Sequence, residues 1–254
     1  MILALDIGNT NITIGGFEND KLAFVARISA SKTQTADETA SKLLSILSLY
    51  GVERSSVTGA AVSSVVPPLT SAVVSAVRFI CGVTAMVVGP GVKTGLGIRC
   101  DNPASVGSDL ICACVAVREL YTYPSIIIDM ETATNMMLLD SASAFAGVSI
   151  MPGVMMGLNA LADGTAQLPH VSLDAPKTVI GKNTVDCIKS GVVYGNAAMT
   201  DGMIDRVCAE FGAELPVYAT GAFAPIVVDH CKHDIVSDEH LVLKGLYMIF
   251  RKNH

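Results

Sequence analysis

Charge is scarce in this sequence, and positive charge scarcer still. Of 254 residues only 16% are Asp, Glu, Lys or Arg, and the net charge is −6. Without a basic surplus the chain lacks the face that nucleic acid demands, so that partner is not expected. A small phosphate-bearing ligand stays open, because turn N–H groups and a bound cation supply positive potential locally. Long apolar runs are missing too. No stretch approaches the ~18 residues of a membrane span, and the apolar segment 147–158 is interrupted by Pro152 and three glycines. The apolar start meets Asp6 early and has no basic lead, so no secretory signal is expected. No Cys-x-x-Cys and no low-complexity segment occurs. The seven cysteines (81, 100, 112, 114, 187, 208 and 231) are odd in number and read as reduced thiols of a cytoplasmic protein. The cluster His230-Cys231-Lys232-His233 fits no common zinc spacing and reads as a polar loop.

What is present is apolar. Hydrophobic residues make up 51% of the chain, enough for a large core and suggestive of surface hidden between subunits. The strongest pattern is a repeat. Met1-Ile-Leu-Ala-Leu-Asp6-Ile7-Gly8-Asn9-Thr10 is matched by Ser125-Ile-Ile-Ile-Asp129-Met130-Glu131-Thr132-Ala133-Thr134. Each is a short apolar run ending in Asp, followed by small and hydroxyl residues. One α/β unit used twice would set two carboxylates and two hydroxyl-rich turns across a cleft, an arrangement suited to metal and phosphate chemistry.

Periodicity predicts an opening meander with strands near 2–5, 11–17 and 22–28, and a turn at Glu18–Lys21. Thr35-Ala-Asp37-Glu38 starts a helix that Gly51 ends. A strand at 59–64, a helix over 68–79 and a strand at 85–88 follow. Residues 89–107, rich in Gly and Pro, form a long loop of the kind that is often functional. A helix over 110–121 leads to a restarted pattern: strands 126–129, 135–140 and 144–151, helices 185–198 and 202–211, a strand at 216–219 and a closing helix over 241–251.

Gly8 permits a tight turn that brings N–H groups to phosphate oxygens. Asp6 can hold hydrated Mg²⁺, and Asn9 and Thr10 can donate to phosphate; alone, this is as readily a hairpin turn. Asp109, after Gly107-Ser108, reads either as a helix cap or as a general base for a substrate hydroxyl. Gly181-Lys182-Asn183-Thr184 resembles a cap with Asn183 or Thr184 as the capping residue. Thr220-Gly221-Ala222-Phe223 is a plain turn or a surface for a nucleotide.

In order, these segments resemble the type III pantothenate kinases nearly end to end. The matching motifs are Asp6-Ile-Gly-Asn-Thr10, Thr35-Ala-Asp-Glu38, Ser63-Ser-Val-Val-Pro67, Asp101-Asn-Pro103, Gly107-Ser-Asp109, Ile150-Met-Pro-Gly153, Thr165-Ala-Gln-Leu-Pro169, Ile180-Gly-Lys-Asn-Thr184, Ser190-Gly-Val-Val-Tyr-Gly195 and Leu243-Lys-Gly-Leu246. The resemblance implies an α/β fold of duplicated ribonuclease H-like domains, as in actin-like ATPases, with mixed five-stranded sheets flanked by helices and a cleft between the halves. The expected domains are 1–116 and 117–254. It implies ATP-dependent phosphorylation of pantothenate to 4′-phosphopantothenate, the first step of coenzyme A synthesis. Asp6, Ile7, Gly8, Asn9, Thr10, Asn11, Ile12 and Thr13 would form the ATP phosphate loop, and Thr132 would also touch phosphate. Asp129 would hold a monovalent cation, K⁺ or NH₄⁺, beside ATP with Mg²⁺. Asp109 would accept the pantothenate proton. Cys100, Gly107, Ser108, Asp109, Leu110 and Thr184 would line the pantothenate site of a cytoplasmic homodimer.

Four positions depart from the family pattern: Leu110 stands for Arg, Glu131 for Gly, Cys100 for Tyr and Ala222 for Gly. Glu131 weighs most, because a carboxylate beside the phosphate site repels the γ-phosphate unless it points away or holds a cation. These departures motivate a second reading, a catalytically impaired paralogue acting as a ligand-binding or regulatory protein. A third, a sugar or acetate kinase of the same superfamily, is disfavoured by the short chain.

Overall fold

The computed structural model describes residues 1–254, with two units: Met1–Leu120 together with Leu241–His254, and Tyr121–His240. In the first unit the apolar run Ile2–Ile7 forms β1. It pairs antiparallel with β2 (Asn11–Glu18), and β2 pairs antiparallel with β3 (Lys21–Ser29). Asn19 and Asp20 make the β2–β3 turn at φ 50° and 63°, the left-handed pair that a tight hairpin needs. After α1 (Ala36–Leu49), β4 (Gly59–Ser64) returns parallel to β1. After α2 (Pro67–Cys81), β5 (Met86–Val87) adds parallel to β4. The sheet order is β3-β2-β1-β4-β5. The long loop that follows contains β6 (Gly97–Ile98) and a 3-10 turn at Pro103–Ser105 before α3 (Ser108–Leu120).

Alternation along β1 and β4 decides what each face covers. Leu3, Leu5, Ile7, Ala60 and Val62 point into one core with Leu43, Ile46 and Leu47 of α1 and Leu69, Val73 and Val77 of α2. On the other face, register rows place Ala4 beside Gly15 and Ala61, and Ile2 beside Gly59. These small residues leave room for helices to lie close. The last polar row on that same face is Asp6, Thr13 and Ser63.

The second unit repeats the plan. β7 (Ser125–Met130), β8 (Ala133–Leu139) and β9 (Ala144–Pro152) are an antiparallel meander. After α4 (Val154–Asp163) and α5 (Thr184–Phe211), β10 (Val217–Thr220) returns parallel to β7. After α6 (Ala224–Val228), β11 (Ile235–Ser237) adds parallel to β10. The order β9-β8-β7-β10-β11 within this unit matches β3-β2-β1-β4-β5 strand for strand. Its core gathers Ile126, Ile128, Met136, Val154, Leu158, Ile188, Val192, Ile204 and Val217.

Three details differ from the sequence reading. The two helices expected at 185–198 and 202–211 are one 28-residue helix, α5. No residue between them breaks a helix, and the buried Asp201 carboxylate accepts the N–H groups of Lys232 (2.9 Å) and His233 (3.2 Å). Residues 154–163 form α4 where an interrupted apolar stretch was read. The closing helix α7 (Leu241–Asn253), read with the C-terminal half, belongs to the first unit. Leu241, Leu243, Leu246, Ile249 and Phe250 of α7 are buried, Phe250 comes against Gly59, and Gly245 comes against the backbone of Cys112 in α3. A pattern that repeats twice in sequence thus shares out its last helix by packing. No helix is long and apolar enough to cross a membrane.

Candidate active site

In the first unit the ends of β1 and β4 meet the start of α3. The β1–β2 hairpin closes with the Gly8 N–H donating to the Asn11 carbonyl at 2.9 Å. Asp6 sits in register with Ser63 on β4. Ser63 Oγ lies 3.0 Å from Ser108 Oγ, and the Ser64 N–H donates to Ser108 Oγ at 2.9 Å. Ser108 thus ties α3 to the end of β4 and fixes the next residue, Asp109. Asp109 Oδ1 is sealed from solvent and meets no hydrogen-bond donor. A side chain at Gly107 would run into that oxygen, so Gly107 provides the space the carboxylate uses. Burial pushes the Asp109 carboxyl above the usual carboxylate range, while the Leu110 N–H and its own N–H pull it down. Cys112, one turn on, is fully buried. Burial raises its thiol well above the ordinary value, and the negative charges of Asp6 and Asp109 raise it further. Both carboxylates thus act on the one thiol.

Beside this cluster the long loop encloses a cavity of about 750 Å³. Its lining includes Ser64, Val65, Val92, Ile98, Gly107 and Ser108, mostly apolar with a few hydroxyl and N–H groups at the α3 end, the usual make-up of a small-molecule pocket.

In the second unit Asp129 is 4% exposed and in register with Thr220 on β10. The turn after β10 is wrapped by the turn after β7. The Phe223 N–H donates to the Met130 carbonyl at 3.1 Å, and the Ala222 N–H donates to Glu131 Oε1 at 2.8 Å. Gly221, at φ 95°, lies so close that a Cβ there would sit 2.5 Å from the Met130 carbonyl oxygen and 2.8 Å from Asp129 Oδ1. Gly153 packs as tightly on the Thr132 backbone. Thr220 Oγ1 is buried without a hydrogen-bond partner. Glu131 therefore turns its carboxylate to a neighbouring N–H.

Of the residues singled out from sequence, Asp6, Gly107, Ser108 and Asp109 come together. Leu110 does not join the cavity lining; it is buried, on the inner side of α3. Cys100 lies half-buried in the long loop. Thr184 is exposed at the start of α5, where Asn183 is the cap and accepts the Asp186 N–H at 2.9 Å. Sequence reasoning did not give Cys112 or the Ser63–Ser108 contact a role. The only signal was a Cys three residues past the candidate base, on the same helix face.

A family model for type III pantothenate kinase matches residues 2–206. A type III pantothenate kinase of Halalkalibacterium halodurans is 38% identical over the whole of both chains. One of Solibacter usitatus is 41% identical, covering 100% of this chain and 97% of its own. The crystal structure of (R)-2-hydroxyglutaryl-CoA dehydratase component A from Acidaminococcus fermentans aligns at TM-score 0.58 over 99% of this chain and 98% of its own. At 12% identity that likeness shows the shared actin-like fold alone.

Proposed function

Because the chain belongs to the type III pantothenate kinase family, we propose that it transfers the terminal phosphoryl group of ATP to the primary hydroxyl of pantothenate, giving 4′-phosphopantothenate for coenzyme A synthesis. The observation that carries this reading is Asp109: a carboxylate with one oxygen buried and unpartnered, raised in pKa by burial, and next in the chain to Gly107 and Ser108, which line a cavity of about 750 Å³. An acceptor matched in this way to a hydroxyl proton is what general-base catalysis requires.

The first-unit hairpin from Asp6 to Thr13 receives the ATP phosphates, with its N–H groups and the Asn9 and Thr10 side chains as donors. No cage of three or more His, Cys, Asp or Glu side chains is present. That suits Mg²⁺, which keeps water and substrate phosphates and takes one or two carboxylates from the protein; Asp6 is the carboxylate we assign to it. When bound, Mg²⁺ neutralises charge on the phosphate oxygens during transfer. Buried Asp129, with the unpartnered Thr220 hydroxyl in register beside it, offers hard oxygen donors for K⁺ or NH₄⁺. Pantothenate lies over Gly107, Ser108 and Asp109, with Cys100 as further lining. The hydroxyl proton passes to Asp109 as the oxygen attacks the γ-phosphorus, and ADP leaves. In the second unit, Ile150 (71% exposed) and Ile180 (78% exposed) support a homodimer contact, and the reduced thiols support a cytoplasmic enzyme.

The test is ADP release measured with and without pantothenate, K⁺ and NH₄⁺. Pantothenate-dependent release that falls about 10²–10⁴-fold in Asp109→Asn is the expected result. Release that ignores pantothenate would end the reading.

A further inference from the structure

We infer that Glu131 is a positioning residue that braces the nucleotide-side turn of the second unit, and that it does so as a hydrogen-bond acceptor. This rests on the kinase reading for its functional readout. The two halves make the case by comparison. Their sheets share one topology, and Asp6–Ser63 in the first corresponds in register to Asp129–Thr220 in the second. In both halves a side chain accepts a backbone N–H where the fourth strand of the plan ends: that of Ser64, the last residue of β4, in the first and that of Ala222, two residues past β10, in the second. The first half supplies it from a helix: Ser108 Oγ accepts the Ser64 N–H at 2.9 Å. Its hairpin residue corresponding to Glu131 is Gly8, which has no side chain to offer.

The second half has no such serine at its turn. The Ala222 N–H there is taken by Glu131 Oε1 at 2.8 Å, a charge-assisted bond across two turns. With the Phe223 N–H on the Met130 carbonyl and Gly221 pressed on Asp129 Oδ1, this bond makes the 220–223 turn follow the 129–132 turn. A carboxylate at a phosphate turn is thereby put to structural use, with its charge directed at an N–H.

The acceptor, rather than the charge, is what matters, so Gln should replace Glu131 and Gly should not. The experiment compares Glu131→Gly and Glu131→Gln with the native enzyme in three measurements: hydrogen exchange at the Ala222 amide, ATP binding by calorimetry, and steady-state kinetics. In Glu131→Gly the Ala222 amide exchanges about tenfold faster and KM for ATP rises about tenfold, while KM for pantothenate is unchanged. In Glu131→Gln all three stay within about twofold of native. Unchanged Ala222 exchange in Glu131→Gly overturns the brace. So does tighter ATP binding in both variants, which would mean that the carboxylate repels or competes with phosphate. If the native enzyme binds ATP but does not phosphorylate pantothenate, the kinase reading fails, and the brace is judged by exchange and calorimetry alone.

Discussion

Replacing Gly245 by Ala tests how the fold holds its base in place. Gly245 lies on α7 where that helix crosses α3. A Cβ there would overlap the carbonyl oxygen of Cys112 and sit 2.5 Å from its carbon and 3.1 Å from its Cα. All of these are backbone atoms, so no side chain can swing away. Relief requires α3 and α7 to part by roughly 1 Å or more, judged against ordinary carbon–oxygen contacts. Neither helix has slack: Leu110 through Val117 of α3 are buried without a break, and Leu246, Ile249 and Phe250 anchor α7. Overpacking of this sort costs about 1–3 kcal/mol, and more where backbone must move, against a total stability of about 5–15 kcal/mol. The functional consequence is larger than the thermal one, because Asp109 lies three residues before Cys112 on the same helix. A base displaced by about 1 Å loses about 10²-fold in rate. Urea unfolding and the coupled ADP assay on Gly245→Ala measure both effects. Gly191→Ala, at an exposed helical position with open space around it, is the control and should gain up to about 1 kcal/mol. If Gly245→Ala unfolds at the native urea concentration with native turnover, the reasoning from helix approach to base position is wrong.

Burial raises the Asp109 carboxyl, so the acid limb of kcat/KM should lie above the ordinary Asp range, with turnover falling as pH drops through it and a plateau above. The same shift means that the buried charge opposes folding once pH exceeds the ordinary Asp value, so Asp109→Asn should melt higher than native at neutral pH while losing activity; a lower melting temperature would refute this. Cys187 is exposed, whereas Cys112 and Cys114 are buried and pushed far above the usual thiol range by burial. Iodoacetamide followed by peptide mapping should therefore label Cys187 in the native state and the other two only after unfolding.

Much of this was legible from sequence because the signals were local. The capping pair at α1 is an example: the Glu38 N–H donates to Thr35 Oγ1 at 3.2 Å, and the Thr35 N–H donates back to Glu38 Oε2 at 2.7 Å, and Thr35 and Glu38 sit three apart at the start of an apolar period. The doubled Asp-ended strands were equally plain, since each is a buried run closed by a polar turn. What stayed hidden depended on distant partners. Nothing near Asp201 in sequence points to the Lys232 and His233 N–H groups that its carboxylate accepts. Glu131 looks like a misplaced charge until Ala222 is beside it. Leu110 reads as site lining by its neighbours, but the buried side of α3 claims it. The membership of α7 depends on small residues at 4, 15, 59 and 61, whose common face becomes evident only when the strands are in register.

The first unit is assembled from two stretches of chain separated by the whole of the second. Without Leu241–His254 the inner side of α3 and the row of small residues on the first sheet lack a cover. That cover is α7, which follows the second unit in the chain. The half that the chain begins is thus completed only by residues beyond the other half, and the helix that carries Asp109 gains its full packing from them.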